Sequence, residues 1–313
     1  MKSFYFSFLL LLSVIVLSSC SDKQVNDRSS SLDISVDEVG QYHNVALDYA
    51  LEAIDGSPLM NSFTRGSVSI NDYAQCLAQA QSAILKNSQD FHKLSVSQVP
   101  SYVHDALNVT LSERSITSIR LLLTDPSYSL TQDLKQEFPN EVSSVVEAYL
   151  NEMIDLFKTS NDYTYIENYI DRIHLKWYRE ANQDDREIIS STTNVAISSL
   201  DYWRNHASQW DATLKGNALR GFIIGVTVAD FSCITRIVLI GRQYSVIFWK
   251  EIAAAAAAYS AGSAIEGLVG SLVDWVLGNH GYQVVYGTER MDFKDFSNLV
   301  EQYCIQELTN SIK

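Results

Sequence analysis

The chain has 313 residues, 46% of them hydrophobic and 19% charged, and its 37 acidic side chains against 23 Lys and Arg give a net charge of −14. That apolar share suits a packed globular body of one large or two small domains and excludes disorder as its overall state. The acidic balance argues against a phosphate-backbone partner, so no nucleic acid is expected, and it disfavours a basic helix lying on anionic lipid.

Met1 to Cys20 reads MKSFYFSFLLLLSVIVLSSC, a single Lys followed by an unbroken apolar core and small residues. This is the pattern of a secretory signal peptide, expected over residues 1–19. Leu17-Ser18-Ser19-Cys20 resembles the lipobox of bacterial lipoproteins, which implies acylation of Cys20 and a membrane as the partner of those acyl chains. One chain alone binds a bilayer only marginally, so more than one is implied. Ser21 rather than Asp after the cysteine is compatible with the outer membrane, with the body facing the periplasm or the outside. A generic signal sequence with a chance cysteine is the alternative. Residues 20–34 are then the lipidated cysteine and a polar, Ser-rich flexible tether, and residues 35–313 the body.

No glycine occurs between Gly66 and Gly216 and no proline after Pro139. Both residues punctuate turns and sheets, so long helices are predicted across these lengths. Ser35 to Glu38 has a capping-box pattern and opens a helix with Val39, Tyr42, His43, Ala46, Leu47, Ala50, Leu51 and Ile54 on one stripe, ended by Gly56. Ser69 to Asp72 caps a second, with Tyr73, Cys76, Leu77, Ala80 and Ile84 inward. Short helices are predicted near 99–108, 112–124 and 130–138, and long ones near 140–158, 162–181 and 184–210. The run 283–286 predicts a small β-segment or a loop, and Asp292 is expected to cap a last helix over 292–311.

Residues 216–278 collect the strongest apolar runs and predict a central hairpin. A membrane helix needs about 18 or more apolar residues with few charges, and runs of about 10–14 are more often core helices. Ile252 to Ile265 sits at the core end, while Gly221 to Ile240 is long enough but carries Asp230 and Arg236. On an insertion scale its apolar side chains gain roughly 3–7 kcal/mol against about 5–7 for the two charges, so insertion is close to neutral. A buried core hairpin, a membrane-active hairpin and, from the β-branched runs 222–228 and 237–247, strand structure all stay open. Gly221, Gly225, Gly262, Ser263, Gly267, Gly270 and Ser271 are the candidates for close helix packing or membrane activity. Glu266 and Asp274, placed on the ridge of Gly262 and Gly270, are acids whose surroundings would raise their pKa values. The fold class is all-α: a multi-helix bundle around this hairpin.

Catalytic patterns are missing. The six histidines stand singly, with no metal-ligand spacing, so no metal and no cofactor are expected. There is no nucleophile elbow, and Ser190 to Thr193 fall inside predicted helix. His43, Asn44 and Asp48 make the one suggestive polar cluster: either a polar binding spot, or a core histidine with Asn44 and Asp48 turned to water. Cys76, Cys233 and Cys304 are an odd set; Cys233 reads as a small core side chain, and a Cys76–Cys304 bridge is an alternative.

Val39 to Tyr49 (VGQYHNVALDY), Ile188 to Trp203 (IISSTTNVAISSLDYW) and the Gly/Ala-rich apolar segment behind them resemble uncharacterised lipoproteins and exported proteins of Bacteroidota. In that group a VGxxHNxxLDY-like motif opens the mature chain, and an SxxYW helix precedes a glycine-zipper-like region. The resemblance implies a lineage and an order of segments, and no activity. The sequence therefore leads to the expectation of a non-enzymatic envelope lipoprotein with a structural or protein-binding role. The alternative is a bacteriocin- or toxin-like protein that inserts the 216–278 hairpin, and an enzyme whose site is assembled from distant residues is a third.

Overall fold

The computed structural model describes residues 34–55, 69–88, 91–111, 114, 117–118, 121–122, 125, 127–160, 162–210, 216–243, 248–269, 273–278, 281–286 and 289–312. After a 3-10 turn at Val36–Glu38 the helices are α1 (Val39–Ile54), α2 (Ile70–Lys86), α3 (Val99–Thr110), α4 (Leu130–Glu137), α5 (Ser144–Thr159), α6 (Tyr163–Glu180), α7 (Gln183–Trp210), α8 (Gly216–Gln243) and α9 (Trp249–Val269). Strands β1 (Val273–Gly278), β2 (Gly281–Tyr286) and β3 (Glu289–Asp292) then lead into α10 (Phe293–Ile312).

Local chemistry explains where the helices begin. Ser69 Oγ accepts from Asp72 N–H at 3.1 Å while Ser69 N–H donates to the Asp72 carboxylate at 2.8 Å, satisfying donors that a helix start leaves free. Ser35 N–H donates likewise to Glu38 at 2.8 Å. Ser143, Asp162 and Asn182 cap α5, α6 and α7 through Val146, Tyr165 and Asp185 N–H.

The bundle is built around α8 and α9. α8 packs on α7 and α9, and α9 packs on α1, α8 and α2. A helix covered on several sides must be apolar most of the way round, and α9 buries Ile252, Ala253, Ala256, Ala257, Ala261, Ala264 and Ile265. The first stripe predicted from sequence is in place: Val39, Leu47, Ala50 and Ile54 have no exposed surface. α10 closes the far side against α2 and α3, with Phe296 stacked on Tyr73 at 4.9 Å.

The chain is an all-α bundle around a helical hairpin with a small β-segment, as the pattern predicts, and four details differ. The hairpin does not reach residue 278: α9 ends at Val269, and β1 starts at Val273. The β-segment is larger than 283–286, because β2 pairs antiparallel with β1 (Val273 opposite Tyr286, Gly278 opposite Gly281) and with β3 (Gln283 opposite Asp292). Residues 222–228 and 237–243 are helix and not strand, since burial on several sides of a continuous helix outweighs a β-branched preference. Asp292 precedes α10 as expected, but its carboxylate accepts from Gln283 Nε2 at 2.7 Å. Of the predicted 112–124 helix, residues 112, 113, 115, 116, 119, 120, 123 and 124 lie outside the described residues.

Candidate functional site

α8 carries two charges well inside its apolar length, and the structure builds a polar node around each. Ala218–Gln243 is long and apolar enough to cross a membrane, with mean hydropathy 2.0, yet 83% of its most apolar window is buried in the body. Buried charge is costly unless paired and hydrogen-bonded.

The first node is Asp230, which has no exposed surface. Its Oδ2 accepts from Ser199 Oγ of α7 at 2.6 Å and Ser260 Oγ of α9 at 2.9 Å, with Trp203 Nε1 at 3.4 Å. From α1, His43 Nε2 stands 3.5 Å away, also fully buried. His43 Nδ1 lies 3.0 Å from Asn44 Oδ1, and because Asn44 Nδ2 donates to Ser198 O at 2.9 Å, that amide oxygen can only accept. With Nδ1–H donated to Asn44, Nε2 is the ring nitrogen that faces Asp230, and it has no hydrogen-bond partner among the described residues. Asp230 Oδ1 has no hydrogen-bond partner among the described residues.

The second node is Arg236, 8% exposed, one to two turns further along α8. Its Nη2 donates to Asp133 Oδ2 at 2.8 Å and to Ser118 Oγ at 3.2 Å, and its Nε lies 3.4 Å from Glu137 Oε2. Arg114 reaches the same two acids at 3.0 and 3.3 Å, and Tyr128 OH donates to Asp133 at 3.0 Å. Burial pushes the Asp133 carboxyl up, but hydrogen bonds from Ser118 and Arg114 and the charges of Arg236 and Arg114 outweigh it and hold it below its ordinary value. At Glu137 burial wins over the same two arginines, and the pKa is raised. The Tyr128 phenol is pushed up to about 12, chiefly by burial. At its C-terminal end, α8 is tied to α7 by Arg242 and Asp184 at 3.0 Å.

The chemistry of the Asp230 node is that of holding a charge. Ser199 donates to the carboxylate and not to the imidazole, so His43 does not lie between a hydroxyl and an acid as a nucleophilic relay requires. Among the described residues no group of three or more His, Cys, Asp or Glu is placed to hold a metal ion. An open groove of about 470 Å³ at the start of α6 is lined by Asp162, Tyr163, Thr164, Arg204 and Arg220. Arg204 there is paired with Glu167.

The sequence candidates fall into three groups. His43 and Asn44 come together at the node, and Asn44 is not turned to water: its amide bridges His43 to the α7 backbone. Asp48 is exposed. Gly221 has open space where a side chain would go, Gly225 and Ser263 are half-buried, and a Cβ at Gly262 would meet Leu77 at an ordinary 3.4 Å, so close approach does not require Gly221 or Gly262. Gly267 lies within α9, whereas Gly270 and Ser271, like Cys20, lie outside the described residues. The ridge expected to carry Glu266 and Asp274 together does not exist, because Asp274 is in β1. The tight contact is elsewhere: a Cβ on Gly40 would sit 2.3 Å from both Asn194 O and Ser198 Oγ. Cys76, Cys233 and Cys304 are all buried and free, so no Cys76–Cys304 bridge forms.

Nothing in the sequence marks Ser199, Trp203, Ser260, Asp133 and Glu137 as residues of one site. The available signal was an acid and a base alone in an apolar run, which must find partners wherever the helix is buried. No protein-family model matches this chain, and no curated protein or solved structure matches it either.

Proposed function

We propose that the chain is a cell-envelope lipoprotein, of the kind of the Bacteroidota proteins its motifs resemble, anchored on the outer membrane through acyl chains on Cys20, and that its helical body has a structural or protein-binding role without catalysis. The observation that supports the body's part of this reading is the capture of Asp230 and Arg236 by α1, α4, α7 and α9, which makes the apolar hairpin the core of a folded unit. At the Asp230 node, His43, Ser199 and Asp230 have no exposed surface for a substrate to reach.

A second reading, a bacteriocin- or toxin-like protein that releases the hairpin into a bilayer, is favoured by one feature: α8 meets the length and hydropathy of a membrane span.

The anchor is tested in a Gram-negative host fed labelled palmitate. Cys20→Ser is expected to lose the label and leave the membrane fraction; label retained in the variant sinks the anchor. The body is tested as residues 21–313 mixed with dye-loaded liposomes from pH 4 to 7.5. Protein that stays helical in the aqueous phase supports the core reading, and leakage that grows toward pH 4 replaces it with the second. Asp230→Leu with Arg236→Leu separates the two further, since integration of that variant into the bilayer would mark the native charges as insertion blockers.

A further inference from the structure

α6 is an edge helix, packed on α5 and α7 through Ile166, Ile170 and Ile173. Of the six large apolar or aromatic side chains exposed among the described residues, three are on it, Tyr165 at 50%, Leu175 at 54% and Tyr178 at 38%; Val45 and Tyr49 are on α1 and Val96 precedes α3. Tyr165 stacks on Tyr169 at 5.3 Å, and Tyr165, Tyr169, Arg172, Lys176 and Arg179 recur at helical spacing along one ridge. Arg186 of α7, 4.9 Å over the Tyr178 ring, extends the basic end. Glu167 is paired with Arg204, and Lys176 of the ridge with Glu152, while of the exposed acids of α6 Asp171 lies off that ridge and Glu180 just past its end. On a chain of net charge −14, tyrosines interleaved with Arg and Lys are an exception, and this composition suits the zone where amphipathic rings sit at headgroup level and cations meet phosphate.

The same helix borders the place where the N-terminal segment joins the body. Val36 O accepts from Asn194 of α7 at 3.1 Å. Burial lowers the pKa of His174 on α6 against the opposing charges of Asp171 and, from the 3-10 turn, Asp37, and its ring meets Tyr178 edge-on at 5.3 Å. Thirteen residues lie between Cys20 and Ile34, and the fourteen steps reach at most about 50 Å at full extension.

We infer that the α6 ridge from Tyr165 to Arg179 is the face this body lays on a phospholipid headgroup surface once its N terminus is anchored there. The inference rests on the lipoprotein reading. A contact too weak to hold free protein on a bilayer is populated when an anchor keeps it at an effective concentration of about millimolar.

The test uses residues 21–313 with a hexahistidine in place of Cys20, bound to phosphatidylethanolamine–phosphatidylcholine vesicles through a nickel-chelating lipid. Leu175→Cys carries an environment-sensitive dye, and Gln306→Cys on α10, an exposed position, is the control. The native cysteines are buried and do not compete for the label. The dye at 175 is expected to shift to the blue and to lose iodide quenching roughly threefold on vesicles, with no change at 306. Tyr165→Ser, Arg172→Ser and Arg179→Ser combined should restore quenching while leaving vesicle binding intact. Equal quenching at 175 on vesicles and in solution overturns the inference, as does protection at 175 without vesicles, which would assign the face to a protein contact. The chelating lipid replaces the native anchor, so an unacylated Cys20 in full-length protein would sink the lipoprotein reading separately.

Discussion

His43 Nε2 stands 3.5 Å from Asp230 Oδ2, and neither side chain has any exposed surface. The first helix of the body thus supplies a polar group to the acid inside its most apolar helix. Asp230→Ala should leave His43, Ser199 and Ser260 facing a void and cost about 3–5 kcal/mol, the usual penalty for removing one member of a buried pair. His43→Leu with Asp230→Leu should cost clearly less than the two single changes added together. Urea denaturation of the four proteins measures this, and additive costs would mean that the two residues do not interact.

Gly40→Ala is predicted to be destabilising although alanine is the better helix former. Its Cβ would lie 2.3 Å from a backbone carbonyl oxygen, Asn194 O, which a rotamer change cannot move. Overpacking of this kind costs typically about 1–3 kcal/mol. Ser198→Ala in the same chain relieves only the second clash and should recover little of the loss in a thermal melt.

Asp133 carries the pH dependence of the Arg236 node. Its folded pKa is depressed, so the stability it contributes is present above its ordinary value of 3.8 and is lost as pH falls through the lower, folded value. Glu137, with a raised pKa, acts in the opposite sense: its cost appears as pH rises from 4.5 through the folded value. Asp133→Asn should therefore lower stability at neutral pH and flatten its fall in acid, whereas Glu137→Gln should remove the cost that appears above pH 4.5. Urea midpoints between pH 3 and 7 decide; an unchanged acid limb in Asp133→Asn would count against the assignment.

The three body cysteines should be silent toward thiol reagents until the protein opens. Burial pushes the Cys76 and Cys304 thiols up to about 12 and raises Cys233 as well, so the reactive thiolate is scarce at pH 8. Residues 21–313 are expected to show no fast-reacting thiol in buffer and three in urea. A rapid reaction of one thiol in buffer would place it at the surface.

Much of this architecture follows from local rules. The part of the glycine-free stretch that follows the last proline, Pro139, holds the long helices α5 to α7, Ser69 and Asp72 cap each other as their spacing requires, and the stripe from Val39 to Ile54 faces inward. Residues 39–49 and 188–203 meet in the fold: Gly40 lies against Asn194 and Ser198, Asn44 donates to Ser198 O, and His43, Ser199 and Trp203 reach Asp230. Neither motif shows that meeting by itself, because a helical pattern reports which face is apolar and not which helix covers it.

The end of the hairpin illustrates the same limit. Small and apolar residues run from the end of α9 into Val273–Gly278 with Asp274 as the one charge, so composition alone extends the helix, and pairing with β2 turns residues 273–278 into a strand. The balance of Asp230 and Arg236 against the apolar side chains around them is a further case. From sequence, the charges of an isolated helix nearly cancel its hydrophobic gain, because the sum counts only that helix and a bilayer. In the bundle, hydroxyls, an imidazole and two carboxylates from distant segments complete both charges. The sequence by itself determined the helical class, the caps and the apolar faces, which depend on neighbours a few residues apart; the tertiary structure alone decided what happens to the buried charges, because their partners come from helices that only folding brings together.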